Sequence, residues 1–218
     1  MNAPPTVADY CIVIPARMAS QRLPGKPLAR LAGQSLIRHV YQCARQSAAQ
    51  QIVIATDDEK ILAQVHGFGA SAMLTSSSHL SGSDRIAEVA RRLNWPDHTI
   101  IVNLQGDEPL MPAACLDQVA TLLQTDPGAD MASLYWPITE ASEVQDPNVV
   151  KVVVAQEGSA LYFSRSLLPY PRDCSNLEQA MQQGVCWYRH VGLYAYRAGS
   201  LKRFTALPPT PLEQAEKL

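Results

Sequence analysis

The nineteen residues from Pro15 to Gly33, PARMASQRLPGKPLARLAG, hold Arg17, Arg22, Lys26 and Arg30 with no acidic residue among them. A planar guanidinium and a compact ammonium are the two usual ways of gripping phosphate oxygens, and cations without counter-ions are available to do so. A solvated basic loop is the alternative. The stretch is not a Walker loop, because Pro27 follows Gly25-Lys26 where Ser or Thr is required, and no glycine stands five residues before Gly25. Gly67-Phe-Gly69 follows a helical pattern and lacks a third glycine, so it is no dinucleotide fingerprint either.

Two further segments carry polar chemistry. Asn103-Leu-Gln-Gly-Asp-Glu-Pro109 turns abruptly acidic after an apolar run. A carboxylate at a strand end is a hard oxygen ligand suited to Mg²⁺, which shares its shell with waters and substrate phosphates; an ordinary acidic turn before a helix is the other reading. Ser76-Ser-Ser-His-Leu-Ser-Gly-Ser-Asp-Arg85 is rich in hydroxyls and backbone donors, fit to read a base or phosphate, or simply to cap a helix. The five histidines lack metal-ligand spacing. Only His190, within Tyr188-Arg-His-Val-Gly-Leu-Tyr-Ala-Tyr196, has enough aromatic and basic neighbours to suggest a pocket for a sugar acid.

These segments need a scaffold, and the apolar pattern supplies one. Tyr10–Ile14, Gln51–Ala55 and Thr99–Leu104 are continuous apolar runs of the kind buried on both faces of a parallel sheet, with a short Met73–Leu74 strand beside them. Helical spacing over Ser35–Ser47, from the acidic Thr56–Glu59 start to Val65, from Ser83 or Asp84 to Leu93, and from Pro112 to Leu123 fills the intervals. Such alternation predicts a doubly wound, mostly parallel α/β sheet, with ligands at the carboxyl ends of its strands. All three polar segments follow strands there. After Asp130 the pattern changes to strands at Met131–Trp136, Val149–Ala155, Leu161–Ser164 and Trp187–Tyr196, separated by proline-rich connections, and a last helix starts near Pro211. The reading is one domain over 1–218 with a strand-rich insertion at about 140–200, a candidate dimerisation surface.

The bulk composition narrows the partners. A 218-residue chain with 47% apolar and 17% charged residues folds as a globular protein, and a net charge of −2 argues against nucleic-acid or membrane binding through a global positive field. Tyr10–Ile14 is too short for a signal or membrane segment, and five scattered cysteines form no CxxC pair, so a cytoplasmic location with reduced thiols is expected.

Taken in order, Pro15-Ala-Arg17, Ser20, Arg22-Leu-Pro-Gly-Lys-Pro-Leu28, Ser81-Gly-Ser-Asp-Arg85, Asn103-Leu-Gln-Gly-Asp-Glu-Pro109, Tyr188-Arg-His190, Gly192 and Tyr194 resemble the 3-deoxy-manno-octulosonate (Kdo) cytidylyltransferases, the CMP-Kdo synthetase family. The similarity runs from the first strand to Leu218. It implies a nucleotide-diphospho-sugar transferase fold, usually dimeric, that joins CTP and Kdo into CMP-Kdo and pyrophosphate for lipopolysaccharide synthesis. It also implies site residues: Arg17 and Lys26 on the triphosphate with Arg22 nearby, and Asp107 on Mg²⁺. Ala16, Ser20, Ser81, Gly82, Ser83 and Arg85 fall in the nucleotide-binding set, Ser20, Ser83 and Arg85 helping to read cytosine. Arg165, His190, Tyr194 and Glu213 would contact the sugar acid, and Gln105 would lie between the substrates. Ser83 stands where the family more often has threonine, which keeps the hydroxyl. The family's second metal-ligating aspartate belongs to a segment that residues 211–218 do not supply, so the expectation is a longer chain or one that binds without full catalysis. An 8-amino Kdo analogue or a hexose phosphate are the alternative substrates.

Overall fold

A computed structural model describes residues 9–18 and 25–218 and divides the chain into two units, one running to Ala132 and resuming at Leu193–Leu207, the other comprising Ser133–Gly192 and Pro208–Leu218. The longer stretch of the second unit, 133–192, overlaps the strand-rich region expected at about 140–200, and Pro208–Leu218 joins it. In chain order the elements are β1 (Tyr10–Ala16), β2 (Arg30–Leu31), β3 (Gln34–Ser35), α1 (Leu36–Ala44), β4 (Gln51–Thr56), α2 (Glu59–Gly67), β5 (Ala72–Leu74) and α3 (Gly82–Arg92). There follow β6 (Ile100–Asn103), α4 (Ala113–Thr125), β7 (Met131–Pro137), α5 (Ala141–Gln145), β8 (Lys151–Val154) and β9 (Ala160–Ser164). The chain closes with α6 (Leu177–Gln182), β10 (Tyr188–Arg197), α7 (Ala198–Phe204) and α8 (Pro211–Glu216).

In the first unit the strand order is β5-β4-β1-β6, all parallel, with the end of β10 added antiparallel to β6. Every residue of β1 is buried, as a continuous apolar run between two neighbours requires. Helix α3 lays Ile86, Ala87, Val89 and Ala90 against Val13, Val53, Ala55, Ile101, Tyr196 and Leu201. Each large aliphatic side chain so enclosed contributes about 1.5–3 kcal/mol of burial. The sequence places the cap of α3 at Ser83 or Asp84; the structure moves it to Ser81, which exchanges hydrogen bonds with Asp84 in a capping box. Ser81 Oγ and the Asp84 carboxylate satisfy donors that the later start would leave bare.

Register explains why the site lies where it does. Val13 pairs with Asn103, the last residue of β6, while β1 continues to Ala16 opposite Thr56 of β4. The chain leaving β6 must therefore cross the protruding end of β1. Gly106 makes this crossing: a Cβ there would stand 2.7 Å from the Pro15 carbonyl oxygen, closer than any side chain tolerates.

The second unit contains β8 and β9 as an antiparallel pair, with the start of β10 beside β8 and β7 paired to β10. Its core is Ile138, Val144, Leu177, Ala180 and Trp187, the indole donating to the Pro169 carbonyl at 3.0 Å. The short helices α5 and α6 supply much of it. Their few residues lie below the length at which helical periodicity stands out, which is why the sequence pattern shows only strands here.

Candidate functional site

Pro15 is the hub of the first unit's carboxyl edge. Its carbonyl meets Gly106, and its ring lies 3.4 Å from where a Cβ on Gly82 would be. The segment after β6 and the start of α3 thus flank the end of β1, so three segments distant in sequence converge on one place.

Lys26 reaches that place from the basic loop. Gly25 adopts a left-handed conformation at φ 72°, donates to the Met18 carbonyl at 3.0 Å and opens a 3₁₀ turn over Lys26–Leu28 with Pro27 buried beneath it. Lys26 Nζ then lies 2.5 Å from Asp107 Oδ2. The sequence offers no acidic partner within the loop; the fold brings one from 81 residues away. Both side chains are more than a third exposed, at 36% and 48%. A pair so exposed contributes about 0–1 kcal/mol, whereas one hydrogen bond to a charged group contributes about 1.5–3 kcal/mol. A polyanion arriving with several such bonds can open it. Burial, and then the neighbouring Asp107 charge, raise the Glu108 carboxyl against the pull of Lys26.

Arg17 donates from Nη1 to the Leu80 carbonyl at 3.3 Å. Ser20 and Arg22 lie outside the described residues. Arg30, beyond the turn, sits exposed in the β2–β3 hairpin. Ser81 is occupied as the helix cap, while Ser83 and Asn103 hydrogen-bond Tyr196, whose phenol burial pushes up. Gln105 Nε2 donates to Asn103 Oδ1 at 3.4 Å. Tyr194 stacks on Tyr196 with ring centroids 5.9 Å apart, and burial, with the Tyr196 charge added, pushes its phenol up to about 12.

Arg85 differs most from a surface base reader. Its side chain is fully buried, donating to Thr75 Oγ1, to the Ser76 carbonyl at 3.4 Å and to Asp57 Oδ2 at 2.8 Å. From there it can shape the loop over which a base would lie. Asn103, Tyr196 and Asp57 carry no site role in the sequence reading; a buried polar residue ending an apolar strand, as Asn103 does, is the signal that could have found the first of them.

The second unit holds the other candidates. Arg165 directs Nε to the Glu216 carbonyl and Nη1 to the Pro147 carbonyl, both at 2.7 Å. The Glu216 carboxylate in turn receives Ser164 Oγ at 2.7 Å and the Arg165 amide at 2.6 Å. His190 Nε2 lies 2.9 Å from Ser133 Oγ, with the Phe163 ring set edge-on at 4.8 Å, and burial lowers its pKa to about 4. The imidazole is therefore neutral at pH 7. Glu213 closes a capping box with Thr210 at the start of α8.

Among the described residues no group of three or more His, Cys, Asp or Glu side chains is arranged to hold a metal ion. The half-exposed Asp107 carboxylate fits Mg²⁺ of the kind bound by one or two carboxylates and completed by substrate phosphates and water.

Residues 11–218 match the profile of the cytidylyltransferase family. A 3-deoxy-manno-octulosonate cytidylyltransferase of Xanthomonas euvesicatoria pv. vesicatoria is 49% identical over 218 residues, covering 99% of this chain and 83% of the relative. The enzyme of the same description from Nitrosococcus oceani is 47% identical, covering 96% of this chain and 82% of its own. Among solved structures, a CMP:2-keto-3-deoxy-manno-octonic acid synthetase complexed with CTP superposes with a TM-score of 0.88 at 40% identity, covering 97% of this chain and 83% of that one.

Proposed function

Since the chain belongs to the 3-deoxy-manno-octulosonate cytidylyltransferase family, we propose that it activates Kdo with CTP to give CMP-Kdo and pyrophosphate. The anomeric hydroxyl of Kdo attacks the α-phosphorus, the bond to the bridging oxygen of the β-phosphate breaks, pyrophosphate leaves with that electron pair, and the hydroxyl proton passes to solvent. Phosphoryl-type transfer depends on positioning and charge neutralisation more than on covalent chemistry by the protein. The observation that carries the reading is the Lys26–Asp107 pair at the end of β1.

Lys26 and Arg17, with Arg22 from the same loop, bind the triphosphate. With Lys26 on the phosphates, the Asp107 carboxylate would be the group that holds Mg²⁺. That ion, when bound, adds positive charge where the phosphates need it. Ser20 and Ser83 help to read cytosine, and Arg85 shapes the base loop from inside through Thr75 and Asp57. Gln105 completes the nucleotide set. Arg165, Tyr194 and Glu213 contact the sugar acid, and His190 joins them as a neutral hydrogen-bonding group.

Full-length protein supplied with CTP, Mg²⁺ and Kdo releases pyrophosphate on this reading; folded protein that releases none contradicts it. Competition by 8-amino-Kdo sorts the two sugar acids, and turnover of glucose 1-phosphate with UTP or GTP would move the activity to hexose phosphates. The protein works as a homodimer in the cytoplasm. In support, the second unit exposes Trp136 and Leu161, each at 66%, and among the described residues no helix is long and apolar enough to cross a membrane. A monomer in sedimentation analysis at micromolar concentration would exclude the dimer.

A further inference from the structure

The loop Thr75–Leu80 joins β5 to α3 and ends on the carbonyl that Arg17 grips. Its residues, Thr-Ser-Ser-Ser-His-Leu, offer no apolar anchor: Leu80 is 90% exposed. Two side chains of α3, three residues apart and so on one face of the helix, hold it instead. Arg85 takes the first half through Thr75 and Ser76. Glu88 reaches further along it: its Oε2 accepts from the Ser76 amide at 2.9 Å and lies 2.6 Å from His79 Nε2. Its Oε1 accepts from Arg92 Nη1 at 3.1 Å, and Arg92 also donates to the Leu74 carbonyl at the end of β5. One carboxylate thus ties strand end, loop and helix together.

We propose that Glu88 is a positioning residue for the nucleotide: by fixing Ser76 and His79 it sets the Leu80 carbonyl, and through it the Arg17 side chain that meets the triphosphate. This rests on the functional reading above in assigning Arg17 to phosphate. A loop ordered in advance need not be ordered at binding, so losing the carboxylate weakens the nucleotide complex while leaving the reaction within that complex unchanged. A purely structural role would lower stability without separating the two substrates.

The test is steady-state kinetics of full-length Glu88→Ala, Glu88→Gln and His79→Ala. Glu88→Ala raises KM for CTP about tenfold, with kcat within about twofold and KM for Kdo unchanged. Glu88→Gln, which keeps an acceptor for the Ser76 amide but no charge for His79 and Arg92, falls between. His79→Ala, on a loop outside the core, gives the same separation to a smaller extent and stands in should a Glu88 variant fail to fold. An unchanged KM for CTP in the folded variants, or equal changes in kcat and both KM values, overturns the proposal. Should the unaltered protein make no CMP-Kdo, the functional reading fails separately, and calorimetric titration with CTP decides here: weaker binding by the variants upholds the positioning role, and equal binding overturns it. An unaltered protein that binds no CTP at all overturns both.

Discussion

Two pairs of candidate side chains, one pair in each unit, are kept in opposite states. In the first, Lys26 and Asp107 are half-exposed charges paired with each other by a weak contact at a strand end. In the second, Arg165 is fastened to backbone carbonyls and His190 is neutral among Ser133 and Phe163. The charges proposed to receive a triphosphate and a cation are thus kept near water, where exchanging one partner for another costs little. Arg165 and His190, proposed to recognise a hydroxylated acid, are held by hydrogen bonds. Exposed charge governs the Lys26–Asp107 pair and hydrogen-bond placement governs Arg165 and His190, and variants can test that division.

The largest effect is expected from Asp107→Ala, which removes the carboxylate proposed to hold Mg²⁺ and lowers kcat in pyrophosphate release by about a thousandfold. Loss of less than tenfold would mean that the first unit's electrostatics is not organised around this residue. Gly106→Ala comes next: its Cβ would meet the Pro15 carbonyl at 2.7 Å, forcing the segment that carries Asp107 to move. A displacement of about 1 Å lowers turnover by about a hundredfold, with stability falling by about 1–3 kcal/mol. Near-normal kinetics there would show that the crossing over β1 does not place the carboxylate.

In the second unit the effects are smaller. His190→Gln raises KM for Kdo by up to about tenfold, the range of one hydrogen bond, and leaves KM for CTP alone. Smallest is a pH effect. Because burial lowers the His190 pKa to about 4, the unfolded chain binds a proton there before the folded one does, so this group costs stability as pH falls from its ordinary value toward 4. Melting temperatures of the unaltered protein and His190→Gln at pH 7 and pH 5 check this. The unaltered protein loses more on acidification; equal losses would mean that the imidazole is not held neutral.

Legibility in the sequence followed the same division. Strands β1, β4 and β6 and their helices stand out because burial on both faces writes itself as unbroken apolar runs, and strand ends then mark where ligands belong. The pairing of Lys26 with Asp107 was hidden, since nothing local connects residues 81 apart; only the register of β1 against β6 and the side-chain-free crossing at Gly106 bring them together. The burial of Arg85 was hidden for a related reason. Its position in Ser-Gly-Ser-Asp-Arg reads as loop chemistry, but as the fourth residue of a capped helix it turns its side chain inward to Asp57 and Thr75. In the second unit the short helices α5 and α6 give no usable period, whereas β7, β8, β9 and β10 lie close to the predicted runs.

Calorimetric titration with CTP, with and without Mg²⁺, on the unaltered protein and Asp107→Ala tests most directly whether the Lys26–Asp107 pair is a triphosphate and metal site held closed by its own charges. Without divalent metal, the variant is expected to bind CTP more tightly than the unaltered protein because Lys26 is already free, and Mg²⁺ is expected to strengthen binding much more in the unaltered protein. Equal or weaker metal-free binding by the variant, together with an undiminished response to Mg²⁺, would contradict that assignment.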